Sequence, residues 1–147
     1  MPAATATDFT SAWEAFTRSI RRARGRASGP LDGSGLTLAQ FHLLERLRTE
    51  DEATVSELAA GAGVAAPTAT RMLDGLVRTG AVERRGAAHD RRSVLISLTP
   101  AGRDAVEAAA ERVEAARATV RDSLTPAEQE QAAVLLRRLA AVVDERL

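Results

Sequence analysis

The sequence predicts a mainly α fold with a small β-wing, and three observations carry that expectation. First, AAPTATRMLDGLVRTGAVERR (Ala65 to Arg85) places apolar residues at helical spacing, with Val64, Ala69, Met72, Leu73, Leu76 and Val77 on one face. Second, after Gly80, a helix stop, the pattern changes to two short β-type runs, 82–85 and 94–97. The loop between them, Gly86-Ala87-Ala88-His89-Asp90-Arg91-Arg92, is too long for a two-residue hairpin and should project as a wing. Third, amphipathic helical stripes lie on both sides of this module. Helix, tight break, two strands and a charged loop make a winged helix-turn-helix, flanked here by N- and C-terminal dimerisation helices.

Taken in order, residues 1–7 read as a disordered small-residue tail. From Asp8, as N-cap, Phe9, Ala12, Trp13, Phe16, Ile20 and Ala23 mark an amphipathic helix over residues 8–24. That helix holds three of the four aromatic residues, too much aromatic area to leave without a partner surface. Residues 25–35 (GRASGPLDGSG) read as a flexible linker. Thr37 caps a second helix through Arg48, with Leu38, Phe41, Leu44 and Leu47 inward, and Glu50-Asp51-Glu52 is a polar turn. A short third helix runs from Ser56 to Ala62 with Leu58 and Ala59 inward, and Gly61-Ala62-Gly63-Val64 turns the chain into the fourth. Pro67 sits in that helix's first turn, where its missing N–H costs nothing.

Thr99-Pro100-Ala101 begins a long helix to about Ser123, striped by Val106, Ala110, Val113, Ala116 and Val120. Thr125-Pro126-Ala127-Glu128 repeats the start and adds a capping-box glutamate. Leu135, Leu136, Leu139, Val142, Val143 and Leu147 line the last helix. These outer stripes exceed what a small winged helix can cover, so a second copy of the chain is the expected cover. The organisation expected is one domain over 1–147, with 8–24 and 100–147 as dimerisation helices and 37–99 as the lobe.

Composition removes several function classes. The 147 residues suffice for one ordinary domain with a real core. With no cysteine, disulfides, thiolate metal sites and thiol redox chemistry are excluded. No apolar run approaches the ~20 residues of a membrane helix, and no signal-peptide segment is visible, so a soluble cytoplasmic protein without membrane contact is expected. His42 and His89, without carboxylates at ligand spacing, make a poor metal site. There is no phosphate-cradling glycine loop and no Ser/His/Asp set with reason to converge, so neither catalytic residues, metal nor cofactor is expected. The net charge is zero, but its distribution is uneven. Residues 67–92 hold six arginines against three acids, whereas residues 100–147 hold seven arginines against nine acids. A second basic run, Arg18, Arg21, Arg22, Arg24 and Arg26, fits a solvated face.

Several of these segments together resemble the MarR family of bacterial transcriptional regulators. The matching stretches are LTLAQFHLLERL, SELAAGAGV, APTATRMLDGLVRTGAVERR, HDRRSVLISLT and PAGRDAV, and DRR followed by alternating apolar residues and LTPAG is the most specific. The resemblance covers residues 37–102, and the glycine-rich 25–35 linker departs from it. It implies a triangular homodimer, knitted by the N- and C-terminal helices, with one DNA-binding lobe per chain. A two-fold dimer offers two recognition helices to successive major grooves, so a pseudo-palindromic duplex operator is expected. Thr68 and Arg71 are the candidate base or phosphate contacts, with Ala66, Pro67 and Thr70 packing close to the groove. Arg91 at the wing tip suits the minor groove. Asp90 and Arg92 should hold the wing's shape, with Arg92 also in the DNA-facing set. Arg84 and Arg85 alternate along a strand, so one should face phosphate and the other be structural.

Relatives in this family commonly release DNA on binding small aromatic or phenolic acids between the dimer helices and the lobe. The resemblance implies Trp13, Phe16, Arg18, Phe41, His42, Glu45 and Val113 as the lining of such a crevice. His42 and Arg18 would face a ligand carboxylate. The reading is a DNA-binding transcriptional regulator, a homodimeric repressor and not an enzyme. A winged helix used only for protein–protein contact is the alternative, and it would suit the zero net charge.

Overall fold

Threonines cap four of the helix starts among the described residues. The computed structural model describes residues 6–26, 29–31, 33–86, 88 and 93–146, in two compact units, Met1–Ala110 and Glu111–Leu147. In the first unit, α1 (Ala6–Arg26) is followed by α2 (Leu38–Leu44), which tightens into a 3₁₀ turn over Glu45–Arg48. Then come β1 (Ala53–Thr54), α3 (Val55–Ala62), α4 (Ala66–Arg78), β2 (Val82–Gly86), β3 (Val94–Leu98) and the start of α5 (Pro100–Asp122). The rest of α5 and α6 (Pro126–Arg146) form the second unit.

Each of α2, α3 and α6 opens on a capping box. Thr37 Oγ1 accepts from the Gln40 N–H at 3.2 Å while Gln40 Oε1 accepts from the Thr37 N–H at 2.9 Å. Thr54 with Glu57 and Thr125 with Glu128 repeat that reciprocity, with the backbone N–H of each threonine donating to the glutamate at 2.8 Å. Thr99 does the same work for α5 alone, accepting from the Gly102 N–H at 2.9 Å. Where α4 ends, Gly80 takes φ +77°, and the Ala81 N–H reaches back to the Leu76 carbonyl at 2.9 Å, a Schellman closure.

The sheet has three strands in the order β1-β3-β2, all antiparallel. The core of this unit is Phe41, Leu43, Leu44 and Leu47 against Leu58, Leu73, Leu76, Ile96 and Val106, all fully buried. Ala69 and Ala59 let α3 and α4 pack closely within it. In the second unit, Gln129 Nε2 donates to the carbonyls of Arg121 and Leu124, satisfying acceptors at the end of α5. No residue of α6 is buried.

Several expectations need correction. Asp8 lies inside the first turn of α1, not at its N-cap, because the helix already starts at Ala6. The segment expected as a flexible linker is partly built. Gly25 and Arg26 are helical, Pro30 bridges Thr37, and Ser34 is buried with its hydroxyl donating to the Leu31 carbonyl at 2.9 Å. Gly33 and Gly35, at φ +79° and +70°, turn the chain there. β1 was not expected, and α3 starts one residue earlier than Ser56. Leu38 is only half-buried while Leu43 is fully buried. Val77, expected inward, is 38 % exposed. The outer stripes, which the lobe was not expected to cover, are open in the single chain: Ala116 and Val120 of α5 and Leu135, Leu136, Val142 and Val143 of α6 are exposed, and Leu139 is half-buried. Leu147 lies outside the described residues, as do His89, Asp90, Arg91 and Arg92, on which the wing-tip expectations rest.

Candidate nucleic-acid interface

α4 presents a polar face built on small residues. Its apolar stripe, Ala69, Leu73 and Leu76, is buried, which turns Ala66, Pro67, Thr68, Thr70, Arg71, Asp74 and Arg78 outward. The helix begins without a side-chain cap, since Ala65 has nothing to offer and Pro67 has no N–H. First-turn amides therefore face outward, where an anionic oxygen can accept from them. Thr68 has a free-standing exposed position in that turn. The Thr70 hydroxyl instead donates to the Ala66 carbonyl at 3.0 Å, so it has only acceptor capacity left for a partner.

Strand register decides between the two neighbouring arginines of β2. Val82 is buried and pairs with Leu98, and Arg84 pairs with buried Ile96, so Arg84 shares the face that packs toward α4. Its guanidinium sits 2.7 Å from the Asp74 carboxylate, with both side chains partly exposed. Arg85, paired with Leu95, is on the opposite face. The two side chains thus lie on opposite faces of the sheet. Arg71, Asp74, Val77, Arg78 and Arg84 line an open cleft of about 460 Å³ between helix and strand. Asp74, Val77 and Arg78 were not singled out as site residues from the sequence. The i, i+3, i+7 spacing of Arg71, Asp74 and Arg78 held that signal, whereas the Arg84 contact depends on strand placement alone.

The turn after α4 is fastened to α5. Thr99 Oγ1 donates to the Gly80 carbonyl at 2.5 Å, and the Thr99 N–H donates to the Ala81 carbonyl at 3.1 Å. A Cβ on Gly102 would lie 1.7 Å from that same Ala81 carbonyl oxygen. Nearby, Arg48 grips Glu107 with two nitrogens at 3.1 and 3.0 Å, tying the 3₁₀ turn to α5. That contact holds the Glu107 carboxyl below its usual range and raises Arg48.

The residues expected to line a ligand crevice are distributed unevenly. Phe41 is 1 % exposed, a core side chain with its ring 5.5 Å from that of His42. His42 Nδ1 lies 3.3 Å from Glu45 Oε2, and both side chains are partly exposed. Trp13 stacks on Phe9 at 6.3 Å, and Trp13, Phe16 and Arg18 all stand exposed on α1. Val113 is half-buried in the second unit. Among the described residues no group of His, Cys, Asp or Glu is arranged to hold a metal ion, and no helix is long and apolar enough to cross a membrane.

A family profile described as "MarR family" matches residues 36–94, the span from Leu36 into β3. The crystal structure of a MarR point mutant from E. coli is 30 % identical, with a TM-score of 0.66, and the match covers 86 % of this chain and 95 % of that one. This chain belongs to the MarR family. A MarR mutant from E. coli complexed with operator DNA is 27 % identical with a TM-score of 0.74, covering 92 % of this chain and 98 % of that one. MepR from S. aureus, in complex with DNA, is 25 % identical with a TM-score of 0.78, covering 88 % and 96 %. BpsR from Bordetella bronchiseptica, whose DNA binding is regulated by 6-hydroxynicotinic acid, is 25 % identical with a TM-score of 0.72, covering 88 % and 98 %. No curated protein sequence matches. The MarR relatives align over the flanking helices as well as the lobe, beyond the span of the family profile. MarR-family members are DNA-binding transcription regulators and not enzymes, and the winged helix of this chain is that of a transcriptional regulator.

Proposed function

We propose that this MarR-family regulator binds a pseudo-palindromic duplex operator as a homodimer and represses by occupying it. One observation carries the reading: α4 exposes Thr68 and Arg71 beside an arginine-lined cleft, on a helix small enough at Ala66 and Pro67 to enter a major groove. Residues 37–99 form the reading lobe. Residues 8–24 and 100–147 form the dimerisation helices, whose apolar side chains Phe9, Phe16, Leu135 and Leu136 are each more than half exposed in the single chain. A second copy is the cover those faces require. Arg91 reaches the minor groove, and Asp90 and Arg92 hold the wing's shape by pairing with each other or with backbone, with Arg92 also in the DNA-facing set. An aromatic or phenolic acid shifts the dimer toward a spacing of recognition helices that misses successive grooves. The related BpsR responds to 6-hydroxynicotinic acid, which supports that class of effector.

Selection of duplexes from a randomised pool tests the reading. The protein should enrich a two-fold sequence and lose affinity steeply as salt rises, because arginine contacts release counterions. Arg71→Ala should cost about 1–3 kcal/mol on the enriched sequence and relax its specificity. Equal affinity for the enriched and unselected pools at moderate salt contradicts sequence-specific regulation.

A further inference from the structure

An acid in the middle of a basic DNA-facing surface is costly to phosphate binding, and Asp74 is one. Arg71 precedes it by three positions and Arg78 follows it by four, so all three charges lie along one side of α4. Arg84 arrives from β2 and closes on the Asp74 carboxylate at 2.7 Å. The same four charged residues, with Val77, line the cleft beside the helix. Arg71 and Arg78 have no ion-pair partner among the described residues. Arg78 folds back over Gly75, where a Cβ would meet its Nη2 at 3.8 Å. Among the described residues, one of the three cleft arginines is therefore neutralised by an ion pair and the other two are not.

The pair is too exposed to be explained by stability. Its side chains are 36 % and 51 % exposed, and ion pairs in such settings contribute little to stability because water and salt screen them. Its consequences for an approaching polyanion are larger. Phosphate contacts supply the sequence-independent part of DNA affinity, and each neutralised phosphate adds close to 0.9 to the salt slope. Holding Arg84 on Asp74 subtracts one such contact and fixes where the guanidinium points.

We propose that Asp74 is a specificity-setting positioning residue: by sequestering Arg84 it lowers affinity for DNA of any sequence and leaves discrimination to the remaining face of α4. The inference rests on the reading that this face meets duplex DNA. Asp74 acts through Arg84 and reads no base itself.

Two substitutions break the same bridge from opposite ends. Asp74→Asn releases Arg84, whereas Arg84→Gln leaves an unpaired carboxylate facing phosphate. Binding of each full-length variant to a labelled duplex of random sequence is measured from about 50 to 200 mM salt, with thermal melting as a check on folding. Asp74→Asn should bind random duplex more tightly at low salt and steepen its log–log salt slope by about 0.9. Its advantage over the unmodified protein should then shrink roughly threefold across that salt range. Arg84→Gln should bind random duplex more weakly than the unmodified protein. For duplex enriched by the unmodified protein, the ratio of enriched to random affinity should fall in Asp74→Asn. If both variants change random-duplex affinity in the same direction, or only melting changes, the bridge is structural and the proposal is overturned. A protein that binds random duplex but enriches no sequence contradicts sequence-specific regulation, while the double variant Asp74→Asn/Arg84→Gln still decides the role of Asp74. The gain of Asp74→Asn should disappear when Arg84 is also removed, and a gain that persists without Arg84 is loss of the Asp74 charge alone and overturns the proposal.

Discussion

Gly102 shows how one absent side chain joins two elements. With its space taken by the Ala81 carbonyl, α5 starts in contact with the turn that ends α4, and Thr99 secures that contact on both sides. Gly102→Ala puts a methyl carbon where a backbone oxygen stands, so the helix start must move away. Overpacking of this kind costs roughly 1–3 kcal/mol, and here the obstacle is backbone that cannot rotate aside. The expected result is a clear drop in melting temperature, with DNA binding impaired even below that transition because the end of α4 shifts. An unchanged melting curve would mean the junction tolerates displacement. The LTPAG stretch of the sequence pointed to a helix start with Pro100 at its first position. It did not reveal why glycine follows, since that reason is the Ala81 carbonyl, eighteen positions before Thr99.

At the level of elements, local chemistry was legible and long-range pairing was not. The Thr-Pro and Thr-x-x-Glu signals located the starts of α5 and α6, and the Thr37 cap located α2, because each involves atoms within four residues. β1 escaped because two residues carry no periodicity, and Ala53 becomes a strand only by pairing with Ile96. The Asp74–Arg84 contact escaped for the same reason, as did the exposure of Val77 on the rim of the cleft. The capping boxes also predict an acid response. Hydrogen bonds from Thr54 hold the Glu57 carboxyl below its ordinary range, those from Thr125 do so for Glu128, and Arg48 does so for Glu107. A carboxylate whose folded pKa is depressed stabilises the fold above its unfolded pKa, about 4.3 for glutamate, and loses that contribution as pH falls through the folded value. Melting temperature should therefore decline progressively below that point. Thr54→Ala should lower stability at neutral pH by about 0.5–2 kcal/mol and flatten the decline. A profile of equal steepness in the variant would assign the acid response to other carboxylates.

On the scale of the whole molecule, the outer helices are the least self-sufficient part of the chain. In the first unit the aromatic face of α1 stays open, with Phe9 61 % exposed. In the second, no residue of α6 is fully buried although its leucines and valines recur at helical spacing. A chain that spends so many large apolar side chains on surfaces it cannot close itself should not persist as a monomer. Sedimentation should give twice the chain mass, with no folded monomer on dilution and a melting temperature that rises with protein concentration. Deleting residues 136–147 removes Leu136, Leu139, Val142, Val143 and Leu147 together. At roughly 1.5–3 kcal/mol for each large apolar side chain buried at an interface, that loss rivals the 5–15 kcal/mol stability of an ordinary domain. The shortened chain should aggregate or unfold, and DNA binding should vanish with it although α4 is untouched. A soluble, well-folded monomer from that deletion would show that α6 makes the dimer contact but is not needed for the chain to fold, and would refute an obligate shared core.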